Sequence, residues 1–228
     1  MRIGGMFHTA GFGIARHGEA AIREALNRIA AAATGHLDEP NKAFGPMYPA
    51  LNKSYAEESG FAPFRRLLRE CILNHWPIAP GQIFLSEVLA ERRLHSIVTA
   101  AKEFDLDAQV IEHFLIEVGA IPKLDDRPRS RRMFDAKAHA ELLAEIPTLV
   151  GPIAMRRAMG ATRHELMALE EENLLPPRTR VAKVKNPWRI SDGETLVAGL
   201  LKGAIAVAED DTDWETAPHP QADRGELV

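Results

Sequence analysis

Residues 148–189 read TLVGPIAMRRAMGATRHELMALEEENLLPPRTRVAKVKNPWR, and this stretch decides the fold. Val150, Ile153, Ala154 and Ala158 recur at the spacing of one buried helical stripe. Met159-Gly160-Ala161 predicts a tight turn, because glycine takes the positive φ that a short link between crossed helices needs. Thr162 is then the natural N-cap of a second helix, and Glu165 completes a capping box with it. Leu166 and Leu169 hold that helix on the first. Asn173 tolerates the left-handed conformation at its end, and Leu174-Leu175 followed by Pro176-Pro177 closes it. The pattern is a helix-turn-helix, with Thr162, Arg163 and His164 where a recognition helix meets phosphates and bases.

From Pro177 the chain carries Arg178, Arg180, Lys183, Lys185 and Arg189 without one acidic residue. Val181 and Val184 between prolines suit a small β-wing beside the recognition helix, and Ser191 is placed to cap a final helix over 194–204. Helix-turn-helix, wing and helix form a winged DNA-binding module.

A second copy of the pattern lies upstream. Ile97, Ala100, Ala101 and Phe104 give a helix, Asp105 stands where the other copy has Gly160, and Asp107 caps a helix containing Ile111, Phe114 and Leu115 that ends at Gly119. Arg127, Arg129, Arg131 and Arg132 follow as a basic segment able to touch phosphates, then a capped helix from Asp135. The offset of about 55 residues suggests an internal duplication. The copies differ in charge: Asp107, Glu112 and Glu117 sit on the outer side of the upstream helix, and carboxylates repel a phosphate backbone. Glu170-Glu171-Glu172 falls at the far end of the downstream helix and reads as a solvated face.

Upstream of residue 91 the patterning is helical. Glu19 to Ala33, residues 44–55, and a stretch beginning near Pro63 with Leu67, Leu68, Cys71 and Ile72 inside and Arg65, Arg66 and Arg69 outside make a small bundle. The expected division is 1–90 N-terminal helical region, 91–146 first module, 147–206 second winged module and 207–228 an acidic disordered tail. The expected fold class is mainly α, a helical bundle followed by two tandem winged helix-turn-helix modules with small β-wings.

Composition narrows the function. A net charge of −4 means that any nucleic-acid surface is local rather than spread over the molecule. A single cysteine, Cys71, excludes an internal disulfide and a cysteine-based zinc site within the chain, and fits a reducing cytoplasm. No apolar run reaches membrane-spanning length. No Ser-His-Asp set, phosphate-binding glycine loop or metal-ligand spacing is evident, so the reading is a non-enzyme without cofactor or metal.

The runs AGFGIARHGEAAIR (10–23), MYPALNKSYAEESGFAPFRRLLRE (47–70), ERRLHSIVTAAKEFDLD (91–107) and IEVGAIP (116–122) resemble the middle and C-terminal part of TniQ family proteins, accessory proteins of bacterial transposons. The resemblance covers nearly all of residues 10–204, without the N-terminal zinc ribbons typical of the family. It implies a DNA-binding adaptor in transposon target selection, with double-stranded DNA and other transposition proteins (a transposon ATPase, a transposase or an RNA-guided complex) as partners. Homodimer formation stays open. Two other readings of the residues are a protein-interaction scaffold, favoured by the acidic upstream module and tail, and an excisionase- or MerR-like regulator.

Overall fold

The structure, a computed structural model, describes residues 16–35 and 38–204. The acidic tail and most of the glycine-rich start lie outside the described residues. The chain is mainly helical, with short strands in two small two-stranded sheets. It divides into two compact units: residues up to Leu149 together with Thr179–Lys185, and Val150–Arg178 together with the residues from Asn186 onward.

The first unit contains two apolar cores. Helices α1 (Glu19–Ala32), α2 (Pro40–Ala43), α3 (Met47–Pro49, running into a π-helical turn over Ala50–Ser54) and α4 (Ala62–His75) enclose the first. Leu26, Ala30, Leu51, Leu68, Ile72 and Trp76 are buried there. Cys71 belongs to this core, and burial pushes its thiol up to about 11, well above reactive range.

Residues 62–75 form the expected helix, but Arg65 and Arg69 point inward. Arg65 donates to the carbonyls of Tyr55 and Glu58, and the reason for Arg69 is a tight hairpin of β1 (Ile83–Phe84) and β2 (Glu87–Val88), whose central residues Leu85 and Ser86 have φ of 51° and 70°. Side chains other than glycine adopt that conformation at a cost, and here the surroundings enforce it. Leu85 is buried, its N–H donates to Asn52 Oδ1 at 2.6 Å, and Ser86 Oγ donates to the Ala56 carbonyl at 2.7 Å. Arg69 donates to the carbonyls of Phe84 (2.7 Å), Glu87 (3.1 Å) and Val88 (3.2 Å), with its guanidinium 4.3 Å from the centre of the Phe84 ring.

The second core of this unit is built by β3 (Leu94–Ser96), α5 (Ile97–Phe104), α6 (Ala108–Glu117), β4 (Met133–Asp135) and α7 (Ala140–Glu145). Asp135 ends a strand paired with Leu94 rather than opening a helix; its carboxylate instead accepts the N–H of Ala138 in the turn that follows. The expected boundary at 90/91 separates no unit. Arginines tie the two cores together: Arg93 reaches Glu70 and Asn74, Arg92 donates to the Pro77 carbonyl, and Arg131 donates to the Ala33 carbonyl and pairs with Asp38 at 2.6 Å.

The second unit is a three-helix cluster of α8 (Pro152–Met159), α9 (Arg163–Glu171) and α10 (Ile190–Leu201). Met155, Leu166, Leu175 and Trp188 are its buried centre, with Val150, Met159, Leu169 and Leu196 packed around them. Val150 and Trp188 exchange backbone hydrogen bonds (2.8 and 3.2 Å), closing the unit at its base. The α8 stripe differs from the expected one. Met155 and Met159 face inward, while Ile153 is 65% exposed and Ala154 and Ala158 are exposed too. Gly193 explains the choice. A Cβ there would lie 2.6 Å from Met155 Sδ and 2.9 Å from Met159 Cγ, so the glycine is where α10 lies closest to the two thioethers. The final helix starts at Ile190 with Arg189 at the N-cap, so Ser191 lies in its first turn and does not cap it.

Candidate nucleic-acid interface

The turn between α8 and α9 forms as its residues predict. Gly160 has φ 67°, and the Ala161 N–H returns to the Arg156 carbonyl at 2.9 Å. Thr162 Oγ1 accepts the Glu165 N–H at 3.3 Å, and Glu165 Oε2 accepts the Thr162 N–H at 2.6 Å. That backbone hydrogen bond, seconded by the Thr162 hydroxyl, holds the Glu165 carboxyl below its usual range. The helix thus starts at one residue, and its first turn is rigidly aimed. At the other end Asn173 has φ 58°, and the N–H groups of Leu174 and Leu175 return to the Leu169 carbonyl.

The same local chemistry recurs upstream. The starts of α5 and α6, Ile97 and Ala108, precede those of α8 and α9, Pro152 and Arg163, by 55 residues in both cases. Asp105 (φ 52°) occupies the left-handed position of Gly160, and Asp107 caps α6 as Thr162 caps α9, accepting the Gln109 N–H at 2.6 Å.

Arg163 and His164 are both exposed on the first turn of α9, and Thr162 is exposed beside them. Two further cations stand across the turn. Arg156 and Arg157 end α8, Arg157 exposed and Arg156 half-buried with Nε 3.5 Å from the Ala161 carbonyl. Sequence reasoning passed over this pair. Its signal was available: cations at a helix C-terminus next to the turn glycine complement the helix dipole and flank the start of the next helix. Glu171 and Glu172 lie exposed and Glu170 half-buried at the opposite end, whereas the α8–α9 turn gathers Arg156, Arg157 and Arg163 against the single carboxylate of Glu165.

The basic tail is arranged differently from the expected wing. Among the described residues, 178–189 contain no strand pair beyond the Val150–Trp188 bridge. Val181 and Val184 close a turn, with the Val184 N–H on the Val181 carbonyl at 2.9 Å, and both pack on the second core of the first unit. Valines three apart across a turn share one side, whereas a strand needs alternation. Arg180, Lys183 and Lys185 are therefore exposed on the first unit, while Arg178 and Arg189 belong to the second. Arg178 is half-buried, and its N–H donates to the Pro187 carbonyl at 2.6 Å.

The upstream arginines are engaged by the protein itself. Arg127 pairs with Asp125 at 2.7 Å, and the hydrogen bond from Arg127 holds that carboxyl at about 2. Arg129 (2.6 Å) and Arg132 both pair with Glu112, which is half-buried rather than an open acidic position, and Arg131 is held by Asp38. A side chain bound to its own carboxylate gains little by moving to a phosphate, so this module lacks the unneutralised cations of the α8–α9 turn.

The chain matches no protein-family model, no curated protein and no solved structure. Among the described residues no group of His, Cys, Asp and Glu could hold a metal ion, and no helix is long and apolar enough to cross a membrane.

Proposed function

We propose that the second unit is a double-stranded DNA-binding module, and that the chain works as a non-enzymatic adaptor of the TniQ kind in transposon target selection. The observation that carries the reading is the charge gradient along α9. Arg156, Arg157, Arg163 and His164 gather around a capped turn whose one carboxylate, Glu165, is tied back to the Thr162 N–H, and Glu170, Glu171 and Glu172 stand at the far end. A duplex repels the acidic end and attracts the basic one, so the helix would enter a major groove by its N-terminus. Thr162, whose hydroxyl serves the capping box with Glu165, lies exposed beside these cations.

Binding to a random-sequence duplex across a salt series tests this. The wild-type protein should bind more weakly as salt rises, and replacing Arg156, Arg157 and Arg163 with alanine should lower the log–log slope by about 2 to 3, near 0.9 for each phosphate no longer neutralised. An unchanged slope in that variant would sink the proposal. The engaged upstream arginines favour a second role for the first unit as a protein-binding platform. Replacing Arg129 and Arg132 should then leave DNA affinity within twofold.

A further inference from the structure

Resting on the DNA-binding reading, we infer that Met167, with Ala168 beside it, gives the second unit its sequence preference by packing on the C5-methyl group of thymine. Leu166 and Leu169 define the inward side of α9, with Glu170 half-buried next to them. At 100° per residue the opposite side is His164, Met167, Ala168 and Glu171, and all four are exposed. Met167 is 45% exposed and stands outside the unit's apolar core, although Met155 and Met159 of the same unit are drawn into it. Packing of the protein therefore gives no reason for a large apolar side chain at this position.

Its neighbours specify what covers it. One turn towards the N-terminus, about 6 Å away along the axis, stand Arg163 and His164, with the Glu165 carboxylate between them and Met167 turned back onto the Thr162 N–H; one turn towards the C-terminus stands Glu171. A helix led in by its cations and held off by its carboxylates stops with its middle over the base edges. Met167 and Ala168 are that middle. The thymine methyl is the one apolar group presented on the major-groove edge of the base pairs, and apolar side chains read it by contact. An unbranched thioether reshapes itself at small cost, which suits a methyl group whose position shifts with local twist. Charge complementarity thus favours duplex DNA over an apolar protein surface as the occupant.

The experiment is selection from a pool of duplexes with a randomised centre, using the full chain and its Met167→Ala variant. Each thymine in the selected site is then replaced by deoxyuridine, which removes only the methyl group. The wild-type protein should lose about fourfold in affinity at one or two thymines, the value of one methyl group taken from water. Met167→Ala should be insensitive to the same replacement while keeping the wild-type salt slope and melting temperature. Selection without any effect of methyl removal, or selection unchanged in Met167→Ala, would overturn the inference and leave the DNA-binding reading standing. Absence of duplex binding at low salt would overturn both, and would assign the exposed methionine to a protein partner.

Discussion

Arg69→Met is the substitution whose cost the structure fixes most closely. Arg69 is 7% exposed, and its guanidinium stacks on Phe84 and donates to three carbonyls of the hairpin at 2.7, 3.1 and 3.2 Å. Its ion pair with Glu87 adds little, because that carboxylate is largely in water. Methionine keeps the stem and most of the volume but leaves the three acceptors to water or to nothing. Hydrogen bonds from a charged donor contribute about 1.5 to 3 kcal/mol each, and not additively, while partial rehydration of the hairpin returns part of the loss. The expected destabilisation is about 3 kcal/mol. With a urea dependence of about 2 kcal/mol per molar, the midpoint measured by circular dichroism should fall by about 1.5 M. Arg69→Lys should recover only a fraction, since an ammonium lacks the planar fork that spans separate carbonyls. A midpoint shift below about 0.3 M for Arg69→Met, on that same urea dependence, would refute the claim that this side chain holds the left-handed turn in place.

Three further outcomes follow from particular contacts. His95 is buried against Phe134 and Phe104, and burial, seconded by Arg92, depresses its pKa below the ordinary value despite Glu103. The folded state thus binds fewer protons than the unfolded chain, so stability is full above pH of about 6.5 and falls as pH drops below it; His95→Leu should flatten that slope in urea titrations, and an equal slope in both proteins would count against it. Thr162→Ala removes the hydroxyl from the capping box and should cost about 1 kcal/mol, with Thr162→Ser restoring most of it in the same urea titrations; no loss on going to alanine would mean that the cap contributes nothing to stability. Gly193→Val drives a branched side chain into the fully buried Met155 and should destabilise by about 1 to 3 kcal/mol, which thermal melting would show as a lower transition temperature; an unaltered melt would disprove the close approach of α8 and α10.

Local chemistry was readable from the residues, and tertiary destinations were not. Asp105, Gly160 and Asn173 take positive φ and Asp107 and Thr162 cap helices because those side chains act within a few residues of themselves. The buried face of α8 was a different matter. Its sequence holds two competing stripes, Ile153 with Ala154 and Ala158, or Met155 with Met159, and Gly193, over thirty residues away, receives the methionines. Arg65 and Arg69 look like surface residues until the carbonyls that they serve are placed beside them, those of Tyr55 and Glu58 for Arg65 and those of the hairpin for Arg69. The valines at 181 and 184 mimic a strand because nothing local tells that they belong to another core. At the candidate interface, Arg163 and His164 were found from their position after the cap. Arg156 and Arg157 join that surface only because α8 stops at Gly160, which sets its last cations across the turn from the start of α9.

The path of the chain after Arg178 restricts how the protein can be divided. Thr179–Lys185 belongs to the first unit, yet the segments on either side of it belong to the second. A polypeptide ending at Leu149 would leave the second core of the first unit without Val181 and Val184. A polypeptide starting at Val150 would carry those two valines with nowhere to bury them. The 55-residue repeat is therefore not a pair of separable beads: no single cut yields two whole parts, and recombination that shuffles the second helix pair into another protein must bring along, or replace, a plug made for a neighbour's core.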